Sequence, residues 1–151
     1  MRATLVVGVS SLLASSLMAQ ASPAQLHWEP APDAFPKGAQ MAVVSGNPGA
    51  AGLFTIELSM PSGYRIPPHF HPTDEHVVIK QGSFLVGMGD QLDVKQTRAM
   101  AVGDTGTIPA KGHHYGITKG ATIVAVTAMG PFAMTYVHPA DDPRKANSSG
   151  Y

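Results

Sequence analysis

The chain contains no cysteine. Disulfide staples, thiolate metal sites and lipid attachment through a thiol are thereby excluded, and the fold must rest on its core and on any ion held by nitrogen and oxygen. Charge is scarce as well: Asp, Glu, Lys and Arg make up 13 % of 151 residues, with a formal net charge of zero. No stretch gathers Lys and Arg onto one face, so binding that depends on neutralising phosphates is not expected, and nucleic acid is set aside as a partner. A chain that is 44 % apolar is not a disordered one. After residue 21 there is also no apolar stripe at helical spacing. What remains is one domain with a core of its own.

The first 21 residues stand apart. Met1-Arg2 gives a short positive start, Ala3 to Met18 is almost wholly apolar or small, and Ala19-Gln20-Ala21 ends it. This pattern reads as a secretory signal peptide, residues 1–21, cleaved before Ser22, and it places the protein in the periplasm or outside the cell with no membrane contact after cleavage. Loss of Arg2 leaves nine basic against ten acidic residues. Residues 22–39 are rich in Pro and polar groups and read as an extended N-terminal arm, with Trp28 and Phe35 as its anchors. Residues 141–151 form a polar tail.

Between them, residues 40–140 show short apolar or alternating runs split by turn signals such as Gly46-Asn47-Pro48-Gly49, Pro61-Ser62-Gly63 and Lys119-Gly120. Nine strands are predicted: 40–44, 52–60, 75–80, 83–88, 98–101, 106–108, 113–117, 121–129 and 132–137. Short strands at regular intervals predict an all-β sandwich or barrel, and closure as a jelly-roll β-barrel removes exposed edges.

Three of the seven histidines fall into a pattern with one glutamate. His69 and His71 alternate on extended chain and so project to one face, and a turn through Pro72-Thr73-Asp74 brings the chain back to Glu75. Glu75 shares a face with Val77 and Ile79, whereas His76, Val78 and Lys80 point the other way. A further ligand must come from farther along, and Gly103 to His113-His114 offers it.

These segments resemble the two motifs of the cupin superfamily. The first has Gly63, five residues, His69-x-His71, three residues, Glu75, six residues and Gly82. The second has Gly103, five residues, Pro109 and then His114, and the spacer is 83–102. The chain as a whole also resembles small exported bacterial cupins. The resemblance implies a single-domain cupin-type jelly roll with one metal ion held by His69, His71, Glu75 and His114, and it allows a homodimer. Two positions depart from the pattern: Lys111 stands where the family has glycine, with Gly112 displaced by one, and Thr118 stands where asparagine is common. Because neighbouring strand residues cannot both face inward, His114 rather than His113 is taken as the ligand.

Three imidazoles and a carboxylate suit a divalent transition metal (Fe, Mn, Zn, Ni, Co or Cu) better than Ca²⁺ or Mg²⁺. The ligand list does not choose among oxygenase or isomerase chemistry on a small organic molecule, hydrolysis, and a non-catalytic metal or small-ligand binding and sensing module. A lining of Phe54, Ile56 and Leu58 (or their neighbours of opposite parity), with Val77, Ile79, Val86 and Met88, suits a small apolar ligand. Lys111 is read as a solvated turn residue rather than a carboxylate anchor. Tyr64 and Tyr115 are read as packing residues rather than proton donors. His27, His76 and His138 are read as lying outside the site.

Overall fold

The computed structural model describes residues 26–146; the expected leader and the end of the tail lie outside the described residues. Eleven strands make two antiparallel sheets that face each other. They are β1 (Glu29–Pro30), β2 (Gln40–Ser45), β3 (Gly52–Met60), β4 (Arg65–Phe70), β5 (Glu75–Gln81), β6 (Ser83–Met88), β7 (Thr97–Ala101), β8 (Thr105–Ile108), β9 (His114–Thr118), β10 (Thr122–Gly130) and β11 (Thr135–Tyr136). One sheet runs β1-β2-β3-β10-β5-β8 and the other β11-β4-β9-β6-β7. The only α-helix among the described residues is Pro143–Ala146.

Alternation builds the core. Phe54, Ile56, Leu58 and Met60 of β3 point inward, opposite Val124, Val126 and Ala128 of β10 and Val77 and Ile79 of β5. Each of these apart from Ala128 contributes about 1.5–3 kcal/mol by leaving water. The second sheet answers with Ile66, Phe84 and Val86. Its packing needs two glycines. A Cβ on Gly116 would lie 2.2 Å from the Phe84 ring on the inner face, and one on Gly87 would lie 2.1 Å from the Tyr115 ring on the outer face.

Several expectations are corrected. The strand expected over 132–137 shrinks to Thr135–Tyr136, because residues 131–134 form a loop whose carbonyls serve other groups: Ala133 accepts from His71 and Met134 from Arg144. β4 was missing from the nine strands, since Pro67-Pro68 argues against a strand interior. The prolines are tolerated because the pairing of β4 with β9 slips between Ile66 and His69, where no N–H is required. Met88 is 53 % exposed rather than part of the lining, being the last residue of β6, at the rim. The arm, followed from Leu26, is part of the packing: Phe35 is buried in the core cluster.

Gly87→Ala is expected to cost about 1–3 kcal/mol of unfolding free energy in urea titrations, because the Tyr115 ring must give way. That cost should shrink in a Tyr115→Ala background, as coupled neighbours require. Tyr115→Phe should cost only about 1 kcal/mol, the worth of its hydrogen bond to the Asp93 carbonyl.

Candidate metal centre

Two strand starts and one strand end bring the site together. His69 lies near the end of β4 and is paired directly with His114, the first residue of β9, so their side chains share a face. His71 sits just beyond β4, on the turn that leads to Glu75, the first residue of β5. The turn is fastened to the approach to β9: the Lys111 amide donates to the His71 carbonyl at 2.8 Å and the Ala110 amide to the Asp74 carboxylate at 2.8 Å. Lys111 makes that contact with φ at +61°, the left-handed conformation that favours glycine, so the turn is kept at the cost of placing a side chain in a strained backbone position.

All four expected side chains are buried. The three imidazoles offer donor atoms within 4.8 Å of one another. The His69 and His114 ring centroids are 4.1 Å apart, and those of His69 and His71 are 5.0 Å apart. Glu75 meets this group from one side, its Oε2 lying 3.1 Å from His114 Nε2 and 3.6 Å from His71 Nε2. Ligands on adjacent corners around an ion with bonds of about 2.1 Å stand roughly 3.0 to 3.4 Å apart; the 3.1 Å separation falls in that range and the 3.6 Å separation lies slightly beyond it.

The proton positions follow from the other ring nitrogens. His69 Nδ1 lies 2.7 Å from the Pro67 carbonyl, His71 Nδ1 2.7 Å from the Ala133 carbonyl, and His114 Nδ1 2.9 Å from the Gly112 carbonyl. A carbonyl only accepts, so each Nδ1 carries a proton, and in its neutral form each ring turns the lone pair of Nε2 inward. His71 Nε2 is buried without a hydrogen-bond partner. Lone pairs facing a carboxylate repel one another unless a cation lies among them, and the residues present therefore fit a divalent ion.

Protons supply that cation poorly. Burial, helped by the neighbouring His114 and His71, pushes His69 down to about 3. Burial also lowers His71, against the opposing pull of Glu75 and the Ala133 carbonyl. For Glu75, burial acts to raise the pKa but is outweighed by His114 at hydrogen-bonding distance and by the pull of His71, His114 and His69 whenever these rings are protonated, which together hold it below the usual carboxylate range. Near neutral pH the site thus presents neutral imidazoles at His69 and His71 and an ionised carboxylate, the forms that bind metal.

A cavity of about 30 Å³ adjoins His69, Glu75 and His114, walled by apolar groups that include Phe35, Leu58, Val77, Val126 and Met134. It has room for a water or two and not for an organic molecule. Among the described residues no lysine or arginine lines it. Lys111 is exposed. Tyr64 gives its hydroxyl to the Pro36 carbonyl and Tyr115 to that of Asp93, so neither serves the site as a proton donor. His113 faces outward onto Asp90 at 2.5 Å. His76 bonds Thr107, His27 bonds Glu29, and His138 bonds the Asp90 carbonyl, all at the surface.

Sequence reasoning missed the group that orients His71. Phe132 packs its ring 5.0 Å from the His71 ring, and the next residue supplies the carbonyl for Nδ1. A backbone carbonyl leaves no trace in side-chain pattern, and Phe132 looked like any strand aromatic.

No family model and no curated protein sequence matches the chain. Solved structures do. The chain is similar to an RmlC-like cupin from Shewanella frigidimarina, at 16 % identity and TM-score 0.57, over 72 % of this chain and 87 % of that one. It is similar to the polyketide cyclase RemF from Streptomyces resistomycificus, at 20 % identity and TM-score 0.67, over 87 % and 94 %. It is also similar to the DMSP lyase DddQ from Ruegeria pomeroyi, at 20 % identity and TM-score 0.61, over 77 % and 63 %. With two facing antiparallel sheets in this order and these neighbours, the chain has the cupin fold.

Proposed function

We propose that this chain is an exported protein that holds one divalent transition metal ion through His69, His71, Glu75 and His114 and acts with it on a small organic molecule. The observation that carries the reading is the inward set of Nε2 lone pairs against the buried Glu75 carboxylate, with His71 Nε2 left unpartnered. Fe, Mn, Zn, Ni, Co and Cu all suit this donor set. When bound, such an ion supplies Lewis acidity and, where redox-active, a partner for dioxygen, which are the chemistries of oxygenases and isomerases. The chain's own part is to fix ligand tautomers through three carbonyls, keep water scarce with apolar walls, and hold Glu75 ionised. Among the described residues the small cavity is lined by no acid–base group besides the ligands and Tyr115, whose hydroxyl is given to the Asp93 carbonyl, and this favours a second reading: a non-catalytic metal or small-ligand binding module.

Elemental analysis of protein purified from its native compartment should find about one transition-metal ion per chain. Glu75→Gln keeps the shape and removes the charge, and should weaken metal affinity by at least about ten-fold. A metal-free native protein would end the reading. Anaerobic loading with Fe(II), followed by oxygen-uptake assays on small phenols, thiols and diketones, separates an oxygenase from a binding module. Export is checked by mass spectrometry of the mature N-terminus, expected at Ser22.

Acid should act on both metal and stability. The unfolded chain protonates His69 near 6.5, the folded chain at about 3. Between those values the unfolded state binds more protons, so the stability of the metal-free chain falls as pH is lowered through that window. The lowered Glu75 works in the same direction at the acid end. Metal content followed by dialysis at stepped pH should fall as pH is lowered toward and below 3, where His69 takes up its proton, and a content independent of pH across that range would count against imidazole ligation.

A further inference from the structure

We propose that residues 31–39 form a strap across the seam between the two sheets, and that this strap lifts to admit an organic molecule to the histidine cluster. The idea deepens the metal reading above by supplying the route to that centre.

Space is the first argument. A cavity of about 30 Å³ beside the ligands excludes an organic molecule while its walls stand. Those walls stand on hydrogen-bonded strands, except for Phe35 and Met134. Met134 is tied down, its carbonyl accepting from Arg144 Nη2 at 3.1 Å beside the Ala133 carbonyl that orients His71. Phe35 comes from chain that belongs to no strand.

The strap's attachments are the second. Its ends are pinned to each other by the bond from the Ala31 amide to the Ala39 carbonyl, 3.0 Å, next to the β1–β2 pairing. Such a compact loop with adjacent ends can swing without unravelling β2. Pro32, Asp33, Lys37 and Gly38 face solvent. The strap leaves from the β2 side of one sheet, whereas its fastenings lie on the other: Tyr136 on β11 gives its hydroxyl to the Ala34 carbonyl at 2.7 Å, and Tyr64, just before β4, gives its own to the Pro36 carbonyl. Two phenols and one plug therefore span the seam.

The plug also touches the ligand shell. Phe35 stacks on Phe132 with centroids 6.0 Å apart and planes within 5°, and Phe132 in turn packs on His71. Lifting the strap uncovers the ring that braces a metal ligand.

The test uses the full chain loaded with Co(II) and challenged with pyridine-2,6-dicarboxylate, release being followed by absorbance. The Tyr64→Phe/Tyr136→Phe double variant removes both fastenings, and Phe35→Ala removes the plug. Each should speed release at least ten-fold. Leu85→Ala, on the other face of β6, serves as the control for lost stability and should not. Unchanged rates in the first two variants, or equal acceleration by Leu85→Ala, would overturn the strap. Should the chain take up no Co(II), the metal reading fails, and the strap is decided on the metal-free chain by ¹⁹F NMR of 4-fluorophenol. Binding by both strap variants and not by Leu85→Ala supports it; binding by none overturns it.

Discussion

The arrangement of the interior turns on one electrostatic constraint: three imidazole lone pairs and a carboxylate face one another in a buried space. The carbonyls of Pro67, Gly112 and Ala133 enforce it, because each accepts a hydrogen bond from Nδ1–H and leaves the neutral ring no other tautomer without losing that bond. Desolvation makes the arrangement unfavourable by itself, since a buried carboxylate without a positive partner is costly. It also denies the simplest relief, by making His69 a very weak base. Folding thus leaves a site short of positive charge, which is a specification for an ion.

Strand register converts sequence into that geometry. The direct pairing of His69 with His114 sets two rings side by side, and the return of the chain through the Pro72–Asp74 turn sets Glu75 against both His71 and His114. Beneath them, Gly116 leaves the space that the Phe84 ring fills, so the floor of the site is packed without displacing β9. Beside them, the loop of residues 131–134 gives up strand pairing to supply one carbonyl and one aromatic face to His71.

Much of this was legible in the amino acids. Alternation located β3, β6 and the inward face of β5 closely, because period-two burial is written directly into residue type. The buried cluster of His69, His71 and His114 with Glu75 beside it was foreshadowed by spacing and by likeness to a family, and the opposite orientations of His113 and His114 followed from alternation alone. Three features were not legible. β4 was hidden by Pro67-Pro68, whose tolerance depends on a register slip that only the partner strand reveals. Met88 has the parity of a lining residue but lies at a strand end, and parity does not report depth. The arm's anchoring of Phe35 over Phe132 is a contact between segments nearly a hundred residues apart, and local pattern says nothing about it.

The four donors do not belong to one layer of the sandwich. Glu75 rides on the six-stranded sheet, His69 and His114 on the five-stranded one, and His71 on the turn that joins them. Next to His69 the ladder between β4 and β9 has lost its rungs at Pro67 and Pro68. An ion seated there would therefore act as a rivet: it would clamp the two layers beside this break in the ladder, and its departure would let that end of the sandwich breathe.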